Sequence, residues 1–162
     1  MPITIFLDIL ILAETKLCKD DSMENVRNSL SNWNVFNRYD AEDGVQHMGL
    51  LLLTSKKSSI VDQFKSITHQ TAKRNDKLQI QGLIIRLTND LNFGFVYCRS
   101  SPTNSEIKAV RKYFDECQFL LGDFNLSHRV KEDCLKIENL CEENKISFLK
   151  EITRAMSNNQ LD

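Results

Sequence analysis

The chain has 162 residues, of which 41% are hydrophobic and 27% charged, as expected of one ordinary globular domain. The formal net charge of −1 excludes a strongly basic protein that holds nucleic acid by its overall field, so such binding would depend on local patches. Five scattered cysteines without a CxxC pair indicate neither a zinc site nor a disulfide framework, which predicts an intracellular, cytoplasmic or nuclear protein.

The apolar amino-terminal run MPITIFLDILILA is predicted to be a strand region, not a signal peptide. It has no basic residue at its start, Asp8 interrupts it, and Glu14 and Lys16 follow at once. No stretch of the sequence approaches the length that crosses a membrane, so no membrane partner is expected. Residues 8–14 are therefore predicted to form a strand that ends on the carboxylate of Glu14.

Hydrophobic periodicity divides the rest of the chain into strands and helices. The predicted elements begin with a helix near 22–31 capped by Asp21 or Ser22 and strands near 34–39 and 45–54. Residues 56–77 are polar and their structure is ambiguous. Further along are strands at 78–88 and 92–99, a helix after Ser105, a strand at 118–122, a helix over 131–144 and a strand near 146–153. The strands at 78–88 and 92–99 are predicted to form a hairpin.

The string FLLGDFN at 119–125 carries the strongest functional signal. An apolar strand stops, Gly122 permits a sharp turn, and Asp123 and Asn125 project from the carboxyl end of the strand, where α/β proteins place their chemistry. Glu14 ends a different strand, and two such acids suit a hard cation such as Mg²⁺. The structural alternatives are an Asx-turn for Asp123 and Asn125, and an exposed acid for Glu14.

The order of the strand-end strings resembles the endonuclease/exonuclease/phosphatase superfamily of Mg²⁺-dependent phosphodiesterases. The matching strings are DILILAETKL (8–17), GVQHMGLLLLTS (44–55), FGFVYCRSSPTN (93–104), LLGDFNLSHR (120–129) and SNNQLD (157–162). The resemblance is closest to DNA endonuclease domains of mobile elements, which lie beside a helicase or reverse transcriptase in a larger polyprotein. It implies a single domain over 1–162 with an α/β (α+β) fold, a four-layer sandwich of two packed β-sheets flanked by helices.

The resemblance also implies roles for individual residues in the hydrolysis of DNA. Glu14 would bind Mg²⁺, with Mn²⁺ as an alternative ion, and Asp123 would orient or deprotonate the attacking water. Asn125 and Tyr97 would donate hydrogen bonds to the phosphate. Asp162 would orient a general-acid/base histidine, as an aspartate does in a serine protease triad. For Tyr97 the structural alternative is half-buried packing.

Two features of the superfamily have no counterpart in this sequence. The superfamily begins with a Trp-Asn strand whose Asn belongs to the metal site, and it ends with a Ser-Asp-His strand. No such Asn precedes the strand that carries Glu14, and none of the three histidines, His47, His69 and His128, matches the His of the last strand. The sequence therefore predicts a domain truncated at both ends with impaired activity. The alternatives are an inactive remnant that keeps the fold, or a weak nucleic-acid-binding module. The sequence does not indicate an oligomeric state.

Overall fold

A computed structural model of the chain describes residues 8–41, 48–115, 117–126, 131–133 and 135–136. The described strands form two sheets. The first sheet has the order β1-β3-β2 and is antiparallel, and the second has the order β4-β5-β6-β7. The strands are β1 (Ile9–Ala13), β2 (Trp33–Tyr39), β3 (Leu50–Ser55), β4 (Phe64–Arg74), β5 (Lys77–Leu87), β6 (Asn92–Cys98) and β7 (Phe119–Asp123).

The connections explain how the second sheet combines two strand directions. Asn75 and Asp76 both have positive φ (51° and 61°) in the turn between β4 and β5, the conformation that tight antiparallel hairpins favour. β6 and β7 are parallel and are connected through the helix α2 (Asn104–Phe114), which packs against β4 and β5. α2 begins with a capping box formed by Thr103 and Glu106. Parallel pairing places the carboxyl ends of β6 and β7 side by side.

The main hydrophobic core lies between the two sheets. Alternate residues of β3 and β5 point into it, and Leu50, Leu52, Leu83 and Ile85 are all at most 2% exposed. Ile84 points to the opposite face of the second sheet and packs there in a smaller cluster with Val96, Cys98 and their neighbours. β5 is thus buried on both faces, and every residue from 80 to 85 is buried. Burial of each such side chain contributes roughly 1.5–3 kcal/mol.

The expected fold class, a four-layer α/β sandwich with helices flanking both sheets, is wrong for the part of the chain that the structure describes. That part is mostly strand; α1 (Glu24–Ser29) has six residues, residues 60–63 form a 3₁₀ turn, and α2 has eleven. The expectation failed at 56–77 because this polar segment contains the edge strand β4. An edge strand exposes polar side chains to solvent, and its apolar periodicity is therefore weak.

Other predicted elements have mixed outcomes. The strands at 8–14 and 34–39, the hairpin at 78–99, the helix after Ser105 and the strand at 118–122 are confirmed within one or two residues. The N-cap of the first helix is Met23, which makes no side-chain hydrogen bond, but the hydroxyl of the predicted Ser22 accepts a hydrogen bond from the N–H of Glu24 at 3.2 Å. Residues 131–133 and 135–136 are helical, while the rest of the helix predicted over 131–144 and the strand near 146–153 lie outside the described residues. Within the described ranges, every helix is too short or too polar to span a membrane.

His69 lies on the edge strand β4 and packs against the edge strand β2 of the first sheet. Its surroundings lead us to expect that the stability of the protein depends on pH. Its ring stacks on Tyr39 at 4.2 Å between centroids, and its buried Nε2 has no hydrogen-bond partner. Burial lowers the pKa of His69 below the usual 6.5, because the charged form loses solvation. The folded state therefore binds fewer protons than the unfolded state. We expect the free energy of unfolding to be unaffected by His69 above pH 6.5 and to fall as the pH drops below it.

The check is urea unfolding between pH 5 and pH 7.5, in a background in which His47 and His128 are replaced by Gln. The variant His69→Phe keeps an aromatic ring against Tyr39, and it should lose the fall in stability that begins below pH 6.5. An identical pH dependence with His69 and with Phe would assign the effect to another group.

Candidate functional site

Polar residues from both sheets meet at one end of the sandwich. Tyr97, near the end of β6, lies directly opposite Asp123, the last residue of β7. Glu14 follows β1 in the first sheet. The Tyr97 side chain is 2% exposed and crosses the inter-sheet core, where its hydroxyl donates a hydrogen bond to Oε1 of Glu14. Three residues that are distant in sequence are thereby brought to one place.

The charges of Glu14 and Asp123 both act on the pKa of Tyr97. The pKa of Tyr97 is raised well above 10, first by burial, then by the hydrogen bond to Glu14 and the negative charge of Glu14, and further by the charge of Asp123. Glu14 and Asp123 are themselves exposed residues, so this end of the sandwich is open to solvent. Tyr97 therefore stays a neutral hydrogen-bond donor at every physiological pH, beside two acids that a ligand can reach.

The backbone around these residues adopts uncommon conformations. Glu14, Lys16 and Asn125 have positive φ angles of 54°, 56° and 48°. The other described non-glycine residues with positive φ lie in the hairpin turns of the second sheet, where this conformation is ordinary. Non-glycine residues in this region cost on the order of 1–3 kcal/mol each, and such residues cluster at functional sites. Asn adopts this conformation readily, so Glu14 and Lys16 are the unusual residues at this end.

Asn125 fixes the segment that follows β7. Its backbone N–H donates to Oδ1 of Asp123 at 2.8 Å, and its side-chain Nδ2 donates to the carbonyl oxygen of Cys98 at the end of β6. The structural alternative of an Asx-turn is therefore present in the molecule. One Nδ2 hydrogen and the amide oxygen remain for a ligand, since an Asn side chain carries two donors and one acceptor. The Asx-turn and a ligand-binding role are compatible.

The donor set fits a hard divalent cation. Glu14, Asp123 and the amide of Asn125 offer oxygen ligands from different strands. In the described ranges no group of three or more His, Cys, Asp or Glu side chains is arranged to hold a metal ion. Mg²⁺ and Mn²⁺ commonly bind to one or two carboxylates and complete their shell with water and phosphate oxygens, and Glu14 and Asp123 carry donors of that type.

The remaining predicted site residues are elsewhere or outside the described part of the chain. Asp162, His47 and His128 lie outside the described residues. His69 lies on β4, at the opposite edge of the second sheet from β7. Sequence analysis missed Gln81, which lies opposite Tyr97 in the β5–β6 pair and is 1% exposed. The sequence carries no signal that singles it out, because β5 also contains Gln79 and Arg86.

Comparison with known proteins gives no family. No family model matches the chain, and no curated protein matches it. Among solved structures, the chain is similar to the crystal structure of a Cimex nitrophorin point mutant in its ferrous NO complex, with 18% identity and a TM-score of 0.49. The alignment covers 85% of this chain and 61% of the nitrophorin, so the chain spans less than two thirds of the length of that protein. A likeness at this level carries no argument about function.

The assignment to the endonuclease/exonuclease/phosphatase superfamily is corrected by these comparisons. No family model or curated protein supports it, and the solved structure is named as a nitrophorin and not as a member of that superfamily. The assignment rested on strings of six to twelve residues. Such strings reflect a strand followed by a turn and a short polar side chain, a local pattern that occurs in many folds.

Because the hydroxyl of Tyr97 is hydrogen-bonded to Glu14, we expect an unusual pKa for this hydroxyl that can be measured by titration. In a background of Tyr39→Phe and Tyr113→Phe, the phenol absorbance of Tyr97 should show a pKa well above 10. Glu14→Gln should lower this pKa, because a negative charge and an acceptor are removed, yet leave it above 10, because burial is the largest cause. Ultraviolet difference absorbance between pH 8 and pH 12.5, with circular dichroism to verify folding, provides the measurement. A Tyr97 pKa near 10 in the parent would contradict the buried contact.

Proposed function

We propose that this end of the sandwich is a Mg²⁺-dependent phosphodiester hydrolase site whose substrate is DNA. The observation that supports it best is that the hydroxyl of Tyr97 bonds Glu14 from the other sheet, while Asp123 is the residue paired with Tyr97 in β7. Two carboxylates concentrate negative charge, so an anionic phosphodiester is repelled from this place unless a cation is also bound. A divalent cation resolves that conflict and is the type of ligand that the carboxylates favour.

Each residue then has a role that its surroundings support. When bound, the cation polarises a phosphoryl oxygen and neutralises charge on the leaving oxygen. Asp123, exposed at the end of β7, accepts a proton from the attacking water. Tyr97, whose raised pKa keeps it protonated, donates its one hydroxyl hydrogen to Glu14 and orients that carboxylate, while Asn125 donates to the phosphate through its second amide hydrogen. Glu14 holds the cation.

The net charge of −1 does not attract DNA to the protein, so this attraction would come from local basic residues. Lys16 lies two residues after Glu14 and is exposed, and Arg99 follows Cys98 directly after β6. Both belong to segments that leave the strands at this end. They are suited to contacts with the phosphates flanking the scissile bond, which position the strand without reading its sequence. An intracellular location, cytoplasmic or nuclear, agrees with this substrate and with the free thiols of Cys18 and Cys98.

A second candidate is a module that binds the cation and nucleic acid without turnover. The observation that favours it is the position of His69, the one histidine among the described residues, which is remote from Tyr97 and Asp123. Within the described ranges, protonation of the leaving group would then fall to water or to Tyr97. The raised pKa of Tyr97 makes it a weak acid for that step. The two candidates share the binding site and differ in the rate of cleavage.

The test combines a cleavage assay with a binding assay. The full chain is incubated with supercoiled plasmid and with an oligonucleotide carrying an abasic site, in Mg²⁺, in Mn²⁺ and in excess EDTA. Binding of Mn²⁺ is followed separately by electron paramagnetic resonance. We expect cation-dependent nicking that EDTA abolishes. Mn²⁺ binding that depends on Glu14, without any nicking, would favour the second candidate. Absence of both would overturn the proposal.

The matched control is Asp62→Asn. Asp62 is an exposed acid in the 3₁₀ turn before β4, at the opposite end of the second sheet, and its replacement also changes the net charge by one unit. It should change neither Mn²⁺ binding nor nicking. Equal effects of Asp62→Asn and of a substitution at Glu14 would mean that overall charge, and not a site, governs the result.

A further inference from the structure

The loop that follows β1 carries Glu14 and is fixed by its backbone to the first sheet. The N–H of Thr15 donates to the carbonyl of Gly49 at 3.3 Å, and the N–H of Lys16 donates to the carbonyl of Met48 at 2.9 Å. Glu14 and Lys16 have positive φ, a conformation that persists only where the surroundings enforce it. The position of Glu14 therefore depends on the contacts that fix the backbone of residues 48 and 49.

Gln81 holds that segment from across the sandwich. It belongs to β5 in the second sheet, yet its side-chain Oε1 accepts a hydrogen bond from the N–H of Gly49 at 2.8 Å, and its Nε2 donates to the carbonyl of Asp40 at 3.4 Å. At Gly49 (φ 103°) an added Cβ would lie 2.4 Å from Oγ1 of Thr15, so the Glu14 loop packs directly on this backbone. Gln81 thus links β5, the strand that pairs with β6 at Tyr97, to the backbone of Gly49, on which the Glu14 loop packs.

Arg38, on β2, holds the far end of the same loop. Its Nη1 donates to the carbonyl of Asp21 at 2.7 Å, its Nη2 donates to the carbonyl of Cys18, and its Nε meets the carboxylate of Asp40. Asp40 therefore accepts a hydrogen bond from Arg38 at its side-chain carboxylate and one from Gln81 at its backbone carbonyl. The planar guanidinium serves three acceptors in fixed directions, which a lysine ammonium does not reproduce.

We propose that Gln81 is a positioning residue that holds the Glu14 loop in register with Tyr97, with Arg38 as the second anchor of that loop. A buried glutamine is costly unless its amide is hydrogen-bonded, and an apolar residue would pack in β5 without that requirement. The amide of Gln81 is bonded at both atoms to the segments that flank the loop. The catalytic consequence of this positioning rests on the proposed function, whereas the positioning itself does not.

The test is a double-mutant cycle with the Tyr97 titration as its readout, in the Tyr39→Phe and Tyr113→Phe background. Glu14→Gln and Gln81→Leu should each lower the pKa of Tyr97. The double variant should lower it no further than Glu14→Gln alone, because both changes remove the same contact. Gln63→Leu, at an exposed position in the 3₁₀ turn, is the control and should leave the pKa unchanged.

Arg38→Lys provides a second route if Gln81→Leu does not fold, and it should also lower the pKa of Tyr97 because the fork of hydrogen bonds is lost. An unchanged Tyr97 pKa in folded Gln81→Leu, or two effects that add in the double variant, would overturn the proposal. The titration uses neither cation nor DNA. Coupled titrations without any cleavage or Mn²⁺ binding would therefore leave the positioning role standing and reject the proposed function alone.

Discussion

Replacement of Asp123 by Asn is expected to lower Mg²⁺-dependent cleavage of DNA by about 10²–10⁴-fold, the usual effect of removing a general base. Asn has the same shape, and its side-chain oxygen still accepts the hydrogen bond that the N–H of Asn125 donates to Asp123. Asp123 is also exposed, so no buried charge is lost or left unpaired. The substitution therefore changes the chemistry of the site and little of its shape.

The measurement is the single-turnover rate of nicking as a function of Mg²⁺ concentration, with urea unfolding to verify stability. Glu14→Gln should act differently, raising the Mg²⁺ concentration required for half-maximal rate, because this residue is assigned to the cation. Asp62→Asn is again the charge-matched control. A full rate in Asp123→Asn at saturating Mg²⁺ would remove Asp123 from the chemistry, whatever the other variants do.

The strands that sequence analysis placed correctly are those whose signal is local. β5 and β6 are apolar over most of their length and are separated by a short polar turn, so periodicity and turn residues define the hairpin. The helix α2 is defined by apolar spacing and by the capping box at Thr103 and Glu106. In each case, the residues that decide the structure lie within a few positions of one another.

β4 could not be predicted in the same way, because pairing with β5 makes it a strand. Its residues alternate only weakly between exposed and half-buried, since it lies at the edge of the sheet. Hydrogen bonding to a partner that follows in sequence outweighs the intrinsic preference of polar residues for loops. This contributed to the wrong prediction of the fold class, because the segment 56–77, which the sequence left ambiguous, contains one long edge strand.

Part of the candidate site could be predicted from the sequence. Glu14, Tyr97 and Asp123 were each predicted to lie at or near the end of a strand, and the structure brings them together. Their catalytic roles stay predictions. Gln81 could not be predicted, because its importance depends on hydrogen bonds to Gly49 and Asp40 on the facing side of the sandwich. No local sequence pattern encodes such contacts. The family assignment went wrong for a related reason, since short strand-and-turn strings do not specify a family.

Gly122 is the position at which a single added methyl group is expected to have the largest structural effect. It has a φ of 144°, and an added Cβ would lie 1.8 Å from the carbonyl oxygen and 2.7 Å from the carbonyl carbon of Val96. These atoms belong to the backbone of β6, which cannot move aside as a flexible side chain would. Gly122→Ala must therefore separate β6 from β7 at the pair that precedes Tyr97 and Asp123.

We expect Gly122→Ala to lower the free energy of unfolding by about 2–6 kcal/mol, from backbone strain and overpacking together. Leu121→Ala is the matched control on the same strand. Leu121 is 60% exposed, so its truncation should cost at most about 0.5 kcal/mol. Urea unfolding of both variants gives the comparison. In Gly122→Ala that remains folded, Mn²⁺ binding should also weaken, because Asp123 is displaced from Tyr97. Equal stability of the two variants would show that β6 and β7 do not approach as closely as the pairing of Val96 with Gly122 requires.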